Sequence, residues 1–191
     1  MKQAQVLTKE EIKKVIKVCE LTKHADRNKL IVYLSFWSGM RAIEIANLRV
    51  KDVLSADNEV LDAIALNKTQ TKGNKGQTVY IGKALKKELA KYFAKFPRIA
   101  EAKQSHLLRT QKGNFSSLTI QHLFKHLYTL ANIPNATSHS GRRSFITELS
   151  EKGVSVRVIQ ELARHSSLQT TQRYIDVSVP KLKGAVDLIG V

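Results

Sequence analysis

Hydrophobic residues follow a helical spacing along most of this chain, and a single region interrupts it. Thr8-x-x-Glu11 has the form of a capping box and predicts a helix over 9–21. A second helix is expected where apolar residues recur at i, i+3, i+4 and i+7, namely Leu30, Tyr33, Leu34 and Trp37. A chain with this spacing is limited to a mainly helical fold.

Residues that start and stop helices divide the rest of the chain. Asp26 is expected to cap the second helix and Gly39 to end it, while Pro97 ends a later helix. Gly153 is a good C-cap between two helices near the C-terminal end. The predicted ranges are 41–48, 83–96, 117–131, 141–152 and 155–164, then a short helix carrying Tyr174 and a last one over 180–189.

The interrupting region is short and rich in β-forming residues. Val53-Leu54, 61–66 and 78–81 are separated by the turn sequences Asp57-Asn58 and Lys72-Gly73-Asn74-Lys75-Gly76. These segments predict a small three-stranded antiparallel sheet. The expected fold class is therefore mainly α with one small sheet (α+β), in a single domain over 1–191.

The charge of the chain favours a polyanionic partner. Its 32 Lys and Arg residues outnumber 16 Asp and Glu, which gives a net charge of +16, and nucleic acid is the commonest partner for such a balance. A membrane is disfavoured, because no lipidation motif occurs and the longest apolar-rich run, 30–37, is too short to span a bilayer. The single cysteine, Cys19, favours a reducing cytoplasm.

Side chains suited to phosphodiester chemistry are concentrated in the last third of the sequence. His139-Ser140-Gly141-Arg142, Leu162-Ala163-Arg164-His165 and Arg173-Tyr174 supply cations, hydrogen-bond donors and a tyrosine nucleophile. Metal-free cleavage needs fixed cations at the non-bridging oxygens, an in-line nucleophile and an acid for the leaving oxygen. Arginine serves the first role better than lysine, because its guanidinium is a rigid, permanently charged fork of donors.

Each candidate taken alone has an ordinary structural explanation. Arg41 could pair with Glu44 at i+3, and Lys72 could be one solvated turn lysine among many. His165 could cap a helix C-terminus, and Tyr174 could be a core aromatic with its hydroxyl at the surface. The functional interpretation rests on their joint occurrence.

The joint pattern resembles the tyrosine recombinase, or phage integrase, family. Its first box is matched by Gly39-Met40-Arg41-Ala42-Ile43-Glu44-Ile45, and its β-hairpin lysine by Lys72-Gly73-Asn74-Lys75. Its second box is matched by His139-Ser140-Gly141-Arg142, its third by Leu162-Ala163-Arg164-His165, and its tyrosine box by Thr170 to Tyr174. The resemblance covers about 8–176.

The resemblance implies a site-specific recombinase, an enzyme of DNA recombination and DNA integration on mobile genetic elements. It breaks and rejoins DNA through a 3′-phosphotyrosyl intermediate, without metal, ATP or another cofactor. The family's nucleophilic tyrosine, its two phosphate-binding arginines, its two hydrogen-bonding histidines and the lysine that protonates the 5′ oxygen correspond here to Tyr174, Arg41 and Arg142, His139 and His165, and Lys72.

The sequence departs from the family pattern at a few positions. Gly141 replaces the usual leucine and Arg143 a frequent histidine. Arg164 stands in place of the glycine before the second histidine, and Tyr80 replaces a common proline after the hairpin. Lys68 is a rival for the hairpin lysine, although the turn sequence aligns on Lys72. None of these departures removes a reactive group.

The partners implied by the resemblance are double-stranded DNA and further copies of the chain. Monomers in solution are expected to assemble as a tetramer on DNA, with accessory DNA-bending proteins as a further class of partner. The C-terminal tail, 177–191, has an apolar face that could dock on its own domain or on a neighbour. The family's N-terminal DNA-clamping domain has no counterpart in the sequence, which fits either a catalytic-domain fragment or a short member that resembles the invertases of fimbrial genes.

Two other interpretations remain open at this point. A type IB topoisomerase or a telomere resolvase would use similar chemistry, although their motif spacing departs further from this sequence. A basic DNA-binding regulator with a decayed pocket would need no catalysis. The complete Arg-Lys-His-Arg-His-Tyr set argues against decay, since drift should have removed at least one member.

Overall fold

The computed structural model describes residues 4–71, 76–174 and 186–187. The chain divides into two compact units, Met1–Phe145 and Ile146–Val191. The boundary falls inside one helix, α8 (Ser140–Glu151). Each unit is described by itself below.

The first unit consists of helices with two short hairpins inserted. Its elements are α1 (Lys9–Cys19), α2 (Ala25–Ser38), α3 (Ala42–Ala46), α4 (Val50–Val53), β1 (Ala63–Leu66), a 3₁₀ turn (Lys68–Gln70), β2 (Gln77–Tyr80), α5 (Lys83–Lys95), α6 (Pro97–Glu101), β3 (Arg109–Thr110), β4 (Gly113–Asn114), α7 (Ser117–Leu130) and the start of α8. Mainly helical with small antiparallel sheets, the structure confirms the predicted fold class.

Helix α2 lies at the centre of the first unit. It packs against both α1 and α5, while α7 packs against α1 and α3. Eight of the 14 residues of α2 are buried, as expected for a helix enclosed by others rather than lying on a surface. Tyr33 and Trp37 stack along it with ring centroids 4.3 Å apart. The end of this well-fixed helix, at Gly39, is where the candidate site begins.

The prediction of a three-stranded sheet is wrong for the described residues, where both sheets have two strands. β1 pairs with β2 antiparallel, with Ile64 opposite Val79, and β3 pairs with β4. The predicted first strand, Val53-Leu54, is divided: Val53 completes α4, and Leu54 forms an isolated bridge with Val60. Asp52 accepts the Arg49 backbone N–H and so starts a helical turn where a strand was expected.

Two predicted helix signals act differently in the structure. α2 begins one residue before Asp26, with His24 at the N-cap position, so the prediction of an Asp26 cap is wrong. Asp26 lies in the first turn, where a carboxylate is favourable, and pairs with Lys95 at 2.8 Å. Pro97 follows the end of α5 as expected, but it also begins α6, because proline fits the first turn of a helix.

The second unit contains the rest of α8, α9 (Val156–Ala163) and α10 (Leu168–Gln172), and α9 and α10 pack together. Tyr174 lies two residues after α10 ends, in a turn rather than on the predicted helix. The predicted last helix over 180–189 falls almost wholly outside the described residues. Among the helices that are described, none is long and apolar enough to cross a lipid bilayer.

Candidate active site

The abrupt turn between α2 and α3 positions Arg41. Gly39 adopts a left-handed conformation with φ 61°, which ends α2 and lets the chain turn directly into α3 with Arg41 at its N-cap. The Arg41 Nη1 lies 2.6 Å from the Glu44 carboxylate, and the other Glu44 oxygen accepts the Arg41 backbone N–H at 2.9 Å. Because Glu44 is fully buried, it fixes the direction of the guanidinium.

Arg142 reaches the same turn from α8. Its Nη1 donates to the Gly39 carbonyl oxygen at 2.8 Å, and the side chain is buried. Arg41 follows Gly39 by two residues, so the two arginines are tied to one turn of backbone. The structure thus brings together two residues that are far apart in the sequence, as the predicted set requires.

His139 stands directly before α8. Its carbonyl oxygen accepts the Arg143 N–H at 3.0 Å and so starts the helix. Its own backbone N–H donates to the Thr137 hydroxyl, and Ser140 closes the turn by accepting the Thr137 N–H. The His139 side chain is exposed, one helical turn from Arg142. The His139 side chain is therefore accessible to a ligand bound on the surface of this unit.

The glycine at 141 is explained by close packing of α8 on α2. A Cβ atom at Gly141 would lie 2.2 Å from the Ser35 hydroxyl oxygen and 3.0 Å from Phe36. The leucine found here in the family pattern could not fit this backbone. On the same helix, the ring of Phe145 lies against Gly39, where a Cβ would come within 2.7 Å. These two contacts fix the start of α8, and therefore Arg142, against the end of α2.

Lys72 lies outside the described residues, as does the rest of the hairpin turn to Lys75. The adjoining strand is described: the Gln77 side-chain oxygen lies 3.4 Å from Arg41 Nη1. The β1–β2 hairpin therefore adjoins Arg41. The rival lysine, Lys68, is exposed in the 3₁₀ turn after β1.

In the second unit, His165 and Tyr174 form a stacked pair. Their ring centroids are 5.8 Å apart, with 23° between the planes, and both residues are half-buried. The His165 Nδ1 lies 2.9 Å from the Thr171 hydroxyl oxygen. The Tyr174 backbone N–H donates to the Thr171 carbonyl at 3.0 Å. Thr171 was not predicted as a site residue; the Thr-Thr doublet before Tyr174 is the only sign of it in the sequence.

The other tyrosines of the chain are less suited to nucleophilic attack. Burial raises the pKa of Tyr33, Tyr92 and Tyr128 above the usual tyrosine value, which opposes formation of a phenolate. Tyr80 is exposed on β2. Of the five tyrosines in the sequence, Tyr174 is the one that stacks on a candidate site histidine among the described residues.

The departure at Arg164 also has a structural explanation. Arg164 follows α9 in a left-handed conformation, φ 56° and ψ 46°, which is the reason a glycine is the natural residue at this point. Its buried side chain donates to the Leu162 carbonyl oxygen at 3.1 Å. The next residue is His165, so the left-handed turn sets the direction in which that histidine leaves the helix.

We expect the variant Arg164→Gly to be more stable than Arg164→Ala by about 1 kcal/mol. Both changes remove the same side-chain contacts, and only glycine adopts the left-handed conformation without strain. Urea unfolding of the two variants side by side measures the difference. Equal stability would mean that the turn at 164 relaxes to another conformation when the arginine is lost.

The predicted residues thus fall into two groups. Arg41, His139 and Arg142 belong to the first unit, and His165 and Tyr174 to the second. Within the described part of the chain, no three His, Cys, Asp or Glu side chains are grouped so that they could hold a metal ion. The candidate residues of the two units carry guanidinium groups, imidazoles and a phenol, which are suited to binding and attacking a phosphate.

Comparison with known proteins identifies the family. Residues 5–180 match the sequence model of the phage integrase family. This chain therefore belongs to the phage integrase family, and the resemblance found in its motifs is confirmed.

A curated relative and two solved structures are among the similar proteins. Tyrosine recombinase XerA of Pyrococcus furiosus is 34% identical over 181 residues, which are 95% of this chain and 60% of that protein. The crystal structure of XerA recombinase has a TM-score of 0.74 at 24% identity, over 97% of this chain and 66% of that one. XerH site-specific recombinase bound to difH substrate has a TM-score of 0.73 at 22% identity, over 97% and 54%.

These comparisons establish the fold as well as the family. The two structures are less than 25% identical to this chain, so they speak for the fold alone. The chain spans about 60% of the length of its XerA relative.

Proposed function

We propose that this chain is the catalytic domain of a site-specific DNA recombinase that works through Tyr174. Two contacts, one within each unit, carry the proposal. In the first unit Arg142 donates to the turn that holds Arg41, and in the second unit His165 stacks on Tyr174. These are the residues that the family motifs mark, and they carry the groups that phosphoryl transfer needs.

The proposed reaction begins with attack by the Tyr174 hydroxyl oxygen on the scissile phosphorus. The bond from phosphorus to the 5′ oxygen breaks, and a 3′-phosphotyrosyl link forms. Arg41 and Arg142 neutralise the charge that develops on the non-bridging oxygens, which is usually the largest catalytic contribution. His139 and His165 donate hydrogen bonds to the same phosphate, and His139 helps to take the tyrosine proton.

Lys72 is proposed to protonate the departing 5′ oxygen. The β1–β2 hairpin that leads to it contacts Arg41 through Gln77, which supports this assignment. Rejoining reverses the step: a 5′ hydroxyl attacks the phosphotyrosine, and Tyr174 leaves. Because the covalent link preserves the phosphodiester energy, rejoining needs no ATP. The arginines and histidines supply the charge stabilisation, so the proposal includes no metal ion.

Double-stranded DNA is the proposed substrate and partner, in the cytoplasm. The net charge of +16 favours contacts with the phosphate backbone, and such contacts weaken steeply with salt. XerH, which shares the fold, has been crystallised with its difH substrate. We further propose monomers in solution and tetramers on paired DNA sites.

The test is covalent capture on DNA. A target is first selected from randomised duplexes by binding at low salt, and a nicked suicide version of it is then incubated with the protein in EDTA. We expect a protein–DNA adduct from the native chain and from a Tyr80→Phe control, and none from Tyr174→Phe. No adduct from the native chain on a confirmed target would refute the proposal. Relaxation of plasmid that lacks the target would favour a topoisomerase instead.

A further inference from the structure

His165 is held at three points within the second unit. Its backbone N–H donates to the Gln160 carbonyl oxygen at 3.1 Å, and its own carbonyl accepts from the Gln160 side-chain amide at 3.1 Å. Its ring Nδ1 lies 2.9 Å from the Thr171 hydroxyl oxygen. Gln160 and Thr171 are both buried, so water has little access to replace either contact. The backbone contacts fix the position of the His165 main chain, and the Thr171 hydroxyl fixes the orientation of the imidazole ring.

Thr171 also contacts the tyrosine that we propose as the nucleophile. Its carbonyl oxygen accepts the Tyr174 backbone N–H at 3.0 Å, while its hydroxyl faces the His165 ring. The two rings stack on each other. Buried Thr171 therefore orients the His165 ring through its side chain and holds the turn that carries Tyr174 through its backbone.

We infer that Thr171 is a positioning residue that selects the Nε2–H tautomer of His165 by donating its hydroxyl hydrogen to Nδ1. In a neutral imidazole, the hydrogen bond made by one ring nitrogen decides which nitrogen carries the proton. With Nδ1 accepting from Thr171, Nε2 carries the hydrogen and can donate to a phosphate oxygen. The inference rests on the proposed function for its purpose, but the tautomer itself is a property of the free protein.

Threonine suits this role for two reasons. Its β-branched side chain has few rotamers on a helix, so the hydroxyl is held in place. A buried hydroxyl must also find a partner, and the His165 ring supplies one. Valine has the same shape without the hydroxyl, and serine has the hydroxyl without the second branch. These two replacements separate the hydrogen bond from the packing.

The first measurement needs no DNA. Long-range proton–nitrogen NMR spectra of the imidazole rings, recorded where His165 is neutral and assigned with a His165→Gln variant, report the tautomer directly. We expect the Nε2–H form in the native protein and in Thr171→Ser, and a mixture of tautomers in Thr171→Val. The matched control Thr170→Val, at the half-buried neighbouring threonine, should leave the His165 signals unchanged. A native Nδ1–H tautomer would overturn the inference.

The second measurement is the rate of adduct formation on the suicide duplex at saturating protein. We expect Thr171→Val to form adduct about 10-fold more slowly, because hydrogen bonds that orient a functional imidazole typically affect activity by this order. DNA affinity should stay close to native, and Tm should fall by a few degrees because a buried hydrogen bond is lost. Thr171→Ser should restore the rate to within about two-fold of native. Equal losses in the serine and valine variants would show a packing role and overturn the inference.

The two measurements also keep this inference apart from the proposed function. If the native chain formed no adduct, the recombinase proposal would fail while the NMR spectra still decided the tautomer. If the native chain cleaved DNA and Thr171→Val cleaved equally fast, the role of Thr171 would fail while the recombinase proposal stood.

Discussion

Replacing Gly141 with alanine should destabilise the protein by about 2 kcal/mol, and with leucine by more, because no side chain fits between α8 and α2. The added Cβ would lie 2.2 Å from the Ser35 hydroxyl oxygen and 2.9 Å from the Ser35 Cβ. Ser35 is itself fully buried in α2, so it cannot swing into solvent to make room. Relief requires α8 to move, and the next residue on α8 is Arg142.

Urea unfolding with a matched glycine control measures this effect. Gly76→Ala is the control, because a Cβ there meets only the Leu66 carbonyl oxygen at 3.5 Å, and a change within about 0.5 kcal/mol is expected. Adding Ser35→Gly to Gly141→Ala should recover part of the loss, since the two sites are in contact and their effects cannot be additive. If Gly141→Ala were as stable as the native protein, α8 and α2 would have to lie further apart than in this structure.

The helical framework could be predicted from sequence because its signals are local. The capping box Thr8-x-x-Glu11 is present with both of its hydrogen bonds, and α1 begins at Lys9 as expected. Gly39 ends α2 because the residue that can adopt positive φ stands where the apolar periodicity stops. Such signals depend only on neighbours along the chain.

The errors occurred where a local preference competed with another contact. Val53 and Leu54 have strand-forming side chains, yet Asp52 accepts the Arg49 N–H and starts a helical turn there. The β3–β4 hairpin at 109–114 was not predicted, because its strands are only two residues long and carry no periodicity. In both cases the deciding interaction involves too few residues to produce a periodic pattern in the sequence.

The candidate site shows the same division. Motifs named Arg41, Arg142, His165 and Tyr174, but nothing in the sequence indicates that Arg142 bonds the Gly39 carbonyl oxygen. That contact depends on how closely α8 packs on α2, which involves residues far apart in the chain. The glycine at 141 departs from the family's leucine, and the close approach of Ser35 supplies the reason.

Arg41 is expected to contribute to both stability and catalysis, and one pair of variants separates the two. Arg41→Ala leaves the Glu44 carboxylate fully buried without the guanidinium 2.6 Å away, which should cost about 3 kcal/mol of unfolding free energy. Adding Glu44→Gln removes the buried charge and keeps an oxygen for the backbone N–H of residue 41. The double variant should therefore recover most of the lost stability.

Adduct formation should respond differently from stability in this pair. Loss of a phosphate-binding cation typically costs about 100-fold or more, and Glu44→Gln cannot replace that charge, so the single and double variants should be equally slow on the suicide duplex. Arg49→Ala is the matched control: Arg49 also stands at a helix N-cap with an acid at i+3 accepting its N–H, but it is exposed. Arg49→Ala should change the free energy of unfolding by less than about 1 kcal/mol and leave the rate of adduct formation near native. Recovery of the cleavage rate together with stability in the double variant would show that Arg41 supports the fold and does not bind the phosphate.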